Sequence, residues 1–322
     1  MSDKYVFQNA KIKHMESKLI TSQAVQRLID CASTEDAFKV LLEMGFGSGV
    51  AVEPGEFDLV FAHEEENAVA LLKEFNVSHA LDAFLVEYDY LNLKSVFKAH
   101  ATKTDFEASI EGLYKVDEMK ELVDGLAAEN LPAEMKSAVD ELLELERAEK
   151  LSPRIIDVTI DKAMFKESRA LVKKSGELAK KYLVKKIDYL NISSFLRVKK
   201  LSLPLEFFKT GFIEGGKLTL DLFEGAFDSM EKFKENTKPT EYREIVEKVA
   251  DNLDIVALEV SIDNDLLKMF RNEYNDMFSI APIVNYYLTR RTEIKLTKLI
   301  VAGIKNHVDP AIIRERMREI YA

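Results

Sequence analysis

Glycine and proline are scarce, at 12 and 7 of 322 residues, about half the roughly 12% that ordinary proteins carry. A chain so poor in turn residues cannot supply the many tight corners of a β-sandwich or barrel, and long helices are the economical alternative. There is a single cysteine, Cys31, so no intrachain disulfide can form and a reducing compartment is expected. No apolar run approaches the roughly 18 residues of a membrane span; Phe278–Leu288, interrupted by Asn285, is among the longest. An excess of positive charge is also missing. Asp and Glu number 56 against 45 Lys and Arg, a net charge of −11. That balance argues against broad nucleic-acid binding, which depends on cations neutralising phosphates. It equally argues against docking on an anionic leaflet, where each basic residue contributes about 1 kcal/mol. The opening Met1-Ser2-Asp3-Lys4-Tyr5 lacks the apolar core of a signal peptide, so a cytoplasmic protein with no direct lipid anchor is expected.

What the chain does have is helical periodicity. With 47% hydrophobic and 31% charged residues it can bury a sizeable core, and its length fits two average domains or three small ones. Ile12, Met15 and Leu19 share a helix face, continued with a shifted stripe by Val25, Leu28 and Ile29. Val139, Leu142 and Leu143 repeat the spacing, as do Ile156, Ile160, Ala163 and Met164. Ser152 before Pro153, and Asp309 before Pro310, are capping side chains followed by proline at the first helical position. Ser33 and Asp36 have the spacing of a capping box. One stretch, Ala51–Phe61, reads as a short hairpin-like excursion. The expected fold class is all-α.

The most informative feature is an internal repeat. Asp89-Tyr90-Leu91-Asn92-Leu93-Lys94-Ser95-Val96-Phe97-Lys98 returns 99 residues later as Asp188-Tyr189-Leu190-Asn191-Ile192-Ser193-Ser194-Phe195-Leu196-Arg197. A third, worn copy begins at Asn285-Tyr286-Tyr287-Leu288 and fits with a one-residue shift. This period exceeds those of solenoid repeats. It leads to an expectation of three similar helical lobes, approximately 1–102, 103–202 and 203–322, around a pseudo-threefold axis. Asp89, Asn92, Asp188 and Asn191 are the repeat's polar structural positions, the asparagines being placed to satisfy buried backbone groups.

Charge is uneven over this frame. Residues 107–149 carry 13 acidic and 4 basic side chains, whereas 162–200 carry 3 acidic and 12 basic, and 290–318 carry 3 and 8. Basic motif segments in an acidic protein read either as solvated faces satisfying one another or as a basic concavity for a partner. The candidate partner-binding residues are Lys94, Lys98, Arg197, Lys199, Arg290 and Arg291.

Catalytic and cofactor patterns are missing. Gly45-Phe46-Gly47-Ser48-Gly49 lacks dinucleotide-loop spacing and follows a helical segment, so Gly45 reads as a helix C-cap. No Walker loop occurs. The five histidines stand too far apart for metal pairs, and His63-Glu64-Glu65-Glu66-Asn67 has Asn where a zinc helix needs its second ligand. Asp263-Asn264-Asp265 is followed by leucines where a calcium loop needs a ligand and glycine. No nucleophile signature is present, and Cys31 reads as a small hydrophobe. No catalytic residue, cofactor or metal is expected.

The two Asp-Tyr-Leu-Asn copies, the run Ala281–Ile294 and the opening Tyr5–Lys13 resemble the C subunit of archaeal and bacterial V-type (A-type) rotary ATPases, whose eukaryotic counterpart is the d subunit. The sequence departs from that pattern at Arg291, where an acidic residue is usual, and at Ser193, which replaces a common basic residue. The resemblance spans essentially the whole chain. It implies an all-helical funnel of three lobes, a non-catalytic rotor component between the central shaft (the D and F subunits) and the membrane proteolipid ring. Such a component passes torque between ATP turnover and proton or sodium transport, and is peripheral to the membrane through the complex. The alternatives are a helical scaffold for other partners and an all-α hydrolase using scattered carboxylates. The latter would need a cleft holding two desolvated carboxylates of divergent pKa.

Overall fold

The computed structural model describes residues 3–106 and 110–318, and among them are sixteen α-helices and no strand. Met1, Ser2 and the first three residues of the acidic stretch, 107–109, lie outside the described residues. In chain order the helices are α1 (Val6–Met15), α2 (Ser22–Ile29), α3 (Thr34–Glu43), α4 (Phe57–Phe75), α5 (Asp82–Thr102), α6 (Val116–Val123), α7 (Ala133–Arg147) and α8 (Pro153–Leu171). There follow α9 (Glu177–Lys200), α10 (Leu205–Gly211), α11 (Leu220–Glu224), α12 (Met230–Thr237), α13 (Arg243–Val249), α14 (Ile255–Arg271), α15 (Ala281–Lys305) and α16 (Pro310–Glu315). No helix of the described residues is long and apolar enough to cross a membrane.

The end signals act as their chemistry dictates. Ser152 Oγ accepts from Ile155 N–H at 3.2 Å, with Pro153 opening α8. Ser33 Oγ accepts from Asp36 N–H and donates to the Asp36 carboxylate, so the short acid closes the box. Asp309 caps α16 through Ala311 N–H at 2.7 Å. At the end of α3, Gly45 adopts φ +89° and its N–H donates to Leu42 C=O, while Phe46 N–H donates to Leu41 C=O. That left-handed close, which costs glycine least, leaves Phe46 buried in the core. Cys31 is half-buried and packs against the apolar cluster of α2 and α3.

The hairpin expected at Ala51–Phe61 does not form. Residues 51–56 are irregular around a Pro54-Gly55 turn, and α4 has begun by Phe57. Val60, Phe61, Glu64 and Ala68 bury one helical face, and that 3.6-residue period outweighs a short alternation with no partner strand.

The chain divides into two units, residues 1–77 with 256–322, and residues 78–255. In the first, α15 lies against α4 and against α1, α2 and α3, burying Ile294, Leu296 and Ile300 among Val25, Leu28, Leu41 and Val60. In the second, α5 and α7 pack on α8, around Tyr90, Leu93, Phe97, Met135, Val139, Ile156 and Ile160. Phe195 of α9 meets Phe208, Phe223 and Phe233 at centroid distances of 5.4, 5.4 and 4.6 Å, each buried ring contributing about 1.5–3 kcal/mol.

Along the chain one pattern occurs three times. A helix of 19, 19 or 17 residues (α4, α8, α14) is followed by a short break and then by a longer helix of 21, 24 or 25 (α5, α9, α15). The repeated motif occupies the longer helix each time.

Candidate functional site

On α5, Asp89 and Asn92 sit one turn apart on the face that meets the segment after the helix. Asp89 is fully buried, and both its oxygens accept backbone N–H groups: Gly112 and Tyr114 on Oδ1 at 3.0 and 3.1 Å, Leu113 on Oδ2 at 2.6 Å. Asn92 Nδ2 donates to Ile110 C=O at 3.0 Å. The two side chains thus hold four residues of irregular backbone, Ile110 and Gly112 to Tyr114, that would otherwise lie unpaired against the helix.

The second copy repeats the device on α9. Asp188 accepts Lys217 N–H and Leu218 N–H, both at 2.9 Å. Asn191 donates to Ile213 C=O at 2.8 Å and accepts Ile213 N–H at 3.0 Å. Glycine is required in each clamp by proximity. A Cβ on Gly112 would lie 2.4 Å from both Asp89 Oδ2 and Leu85 C=O, and one on Gly216 would lie 2.1 Å from Asp188 Oδ1.

Tyrosines complete both clamps. Tyr90 and Tyr114 donate to the two oxygens of Glu167 on α8, each at 2.7 Å, and Tyr242 donates to Asp188 Oδ2 at 2.6 Å. Burial pushes the Asp89 carboxyl up to about 7, against the three backbone N–H bonds that favour its ionised form, with the Glu167 charge adding to the rise. Burial also raises Glu167, opposed by its two phenol donors. Tyr90, Tyr114 and Tyr242 are raised by burial, and then by the carboxylates that they serve as donors.

The third copy stands in the first unit. Asn285 is fully buried on α15, and one turn past the motif Arg290 bridges two acids. Its guanidinium reaches Glu64 of α4 at 2.6 Å and Glu293 of its own helix. Each acid then holds a loop: Glu64 accepts Gly47 N–H at 2.8 Å, and Glu293 accepts Ile20 N–H at 2.6 Å. Burial raises the Glu293 carboxyl, countered by Arg290. Burial alone would lower Arg290, yet the Glu293 and Glu64 charges leave it raised. One cation therefore ties α4, α15, the start of α2 and the turn after α3.

The six basic candidates have different surroundings. Lys94 and Lys98 pair with Asp161 and Asp157 of α8, both at 2.6 Å. Arg197 is exposed in the last turn of α9, and Lys199 stands 4.3 Å from the Phe227 ring centre. Arg290 is drawn into the buried triad, and Arg291 lies 5.6 Å from the Tyr287 ring centre. Lys94, Lys98, Arg197 and Lys199 belong to the second unit, Arg290 and Arg291 to the first.

The sequence reading missed Gly112, Gly216, Glu167, Tyr242, Glu64 and Glu293. A signal for part of this was present: Ile110-Glu111-Gly112 returns as Ile213-Glu214-Gly215, the very segment that each asparagine holds. For Glu64 and Glu293 no pattern distinguishes a buried acid from the many solvated ones.

The chemistry available here is holding. Both oxygens of Asp89 and of Glu167 are occupied by donors from the chain, and both acids shift upward together rather than apart. An acid–base pair needs the reverse, a free oxygen and divergent pKa values. The polar motif residues therefore define an all-helical structural protein built on a repeated clamp, without a catalytic role for them.

Similarity to known proteins narrows that class. Residues 8–316 match the sequence model of the ATP synthase (C/AC39) subunit family. The chain is 27% identical to the C subunit of the A-type ATP synthase of Thermococcus gammatolerans, over 98% of this chain and 90% of that protein. It is 23% identical to the C subunit of the V-type sodium ATPase of Enterococcus hirae, over 97% of this chain and 98% of that one. With the C subunit of the A-type ATP synthase of Desulfurococcus it shares 26%, over 98% and 91%. The chain belongs to the ATP synthase (C/AC39) subunit family, a non-catalytic component of V/A-type ATPases.

Proposed function

We propose that this chain is the rotor adaptor of its ATPase, linking the central shaft (the D and F subunits) to the membrane proteolipid ring and passing torque between them. It acts at the cytoplasmic face and is peripheral to the membrane through the complex. The observation that supports this reading most is the repeated clamp. Twice a long helix fixes irregular backbone with a buried Asp and Asn, which suits a part that must transmit strain without yielding. Densely packed helices are poorly compressible and serve the same end. Contacts that survive repeated loading belong to permanent complexes, so shaft and ring interfaces of roughly 2,000 Å² or more are expected.

Within this reading the basic ends of the motif helices receive an acidic shaft tip, with exposed Arg197 and neighbouring Lys199 as contacts. Arg197→Glu combined with Lys199→Glu should weaken binding of the shaft pair to the full chain by about tenfold and flatten its salt dependence. Affinity titrations at low and moderate salt measure both. An unchanged affinity with an unchanged salt slope would reject the socket.

A further inference from the structure

The first unit holds a cavity of about 870 Å³, walled by the end of α1, the start of α2, the turn after α3, α4 and α15. Small organic ligands occupy cavities of about 300–1,000 Å³. Met15, Leu19, Met44 and Leu71 supply apolar surface. Three acids line the space, and each already has a cation: Glu43 with Arg27, Glu64 with Arg290 and Glu74 with Lys11. The remaining lining charge, Lys18, has no acidic partner among the described residues.

The two ends of the cavity differ. At one, α2 begins: Thr21 accepts Ala24 N–H at 3.2 Å, and both residues line the cavity. The Ser22 and Gln23 amides of that first turn have no helical carbonyl to meet, and together with Lys18 they favour an anion. Glu293 holds Ile20 N–H, so this end lies two turns, about 10 Å, along α15 from Tyr286.

Tyr286 marks the other end. It is 6% exposed and lines the cavity, yet its hydroxyl meets no partner among the described residues. The hydroxyls of Tyr90, Tyr114 and Tyr242, by contrast, each donate to a carboxylate. The charges around Tyr286 are Arg290, Glu293, Glu64 and Glu16, the last paired with Lys13. Acids outnumber cations by one there, so this end refuses a carboxylate and suits an uncharged hydroxyl or carbonyl.

We propose that this cavity binds a small amphiphilic acid, with its carboxylate at Lys18 and the start of α2 and an uncharged polar group at Tyr286. Its apolar chain lies along Met15, Leu19 and Met44. Each part answers something that the chain leaves unmet: an unpaired cation, open amides, a bare apolar wall and a lone hydroxyl. The site does not depend on which partners the chain holds.

Titration of the full chain with decanoate and ω-hydroxydecanoate at pH 7, followed by methionine-methyl NMR, tests the site. Both acids should shift the Met15 and Met44 methyls saturably, with half-saturation at about 1 mM. Met119 and Met135, buried in the second unit, should not move. Decylamine, of the same length and opposite charge, should bind about tenfold more weakly. Lys18 is exposed, so Lys18→Glu should fold normally and weaken both acids about tenfold. The terminal hydroxyl should improve binding about threefold, and Tyr286→Phe should abolish that gain while leaving decanoate unchanged. Shifts that do not saturate, that spread equally to the second unit, or that survive Lys18→Glu would overturn the proposal. So would equal binding of the two acids to the unaltered chain, a comparison that needs no variant.

Discussion

Replacing Arg290 by methionine should destabilise the first unit by about 3–5 kcal/mol, the usual consequence of removing one partner from a buried ion pair. Methionine fills much of the same volume, so the loss is electrostatic. Glu64 and Glu293 would be left facing each other, 7% and 0% exposed, with no cation between them. Against a total stability of about 5–15 kcal/mol for a domain, that is enough to unfold the unit in moderate urea. The variant should fare better in acid. Burial already raises the Glu293 carboxyl and Arg290 opposes that rise, so without the cation stability is lost as pH rises through the raised value. Urea unfolding at pH 5 and pH 8 would show a smaller deficit at pH 5. Adding Glu64→Gln and Glu293→Gln should recover part of the loss at pH 8, because each amide oxygen still accepts from Gly47 or Ile20 N–H. A single variant as stable as the parent would mean that the triad contributes little.

Gly112→Ala and Gly216→Ala should each destabilise the second unit by about 2–4 kcal/mol, combining overpacking with N–H groups pulled away from a buried acceptor. Neither contact involves the far end of a flexible side chain. At Gly112 the obstacles are Asp89, fixed by three hydrogen bonds, and the backbone carbonyl of Leu85. At Gly216 the obstacle is Asp188, fixed by two amides and the Tyr242 hydroxyl. Circular dichroism followed through urea titration measures the loss. A cost below about 0.5 kcal/mol, the range of an ordinary surface change, would show that the clamp yields.

The helices and their ends were legible in the sequence because their causes are local. Scarce glycine and proline, apolar residues three and four apart, and Ser152-Pro153 act within one turn of the chain. The repeat was legible too, since Asp89 to Asn92 and Asp188 to Asn191 are contiguous strings. What those residues do was hidden, because their backbone partners lie 18 to 30 positions downstream in segments without periodicity. Arg290 was read for its charge in a basic segment. Its role depends on Glu64, which is 226 positions away and looks like any other acid on a helix. The hairpin at Ala51–Phe61 failed for the opposite reason. A few alternating residues carry little information, and the helical face beginning at Phe57 decided the outcome.

The central claim is that the chain couples ATP turnover to ion movement without catalysing either. Membrane vesicles carrying the ATPase, stripped of this chain and then supplied with it again, test that claim directly by parallel measurement of ATP hydrolysis and ion uptake. Without the chain, hydrolysis should continue in the detached head while ion uptake disappears, and adding the chain back should restore uptake. Ion uptake that persists at its original rate in the stripped vesicles would contradict the account.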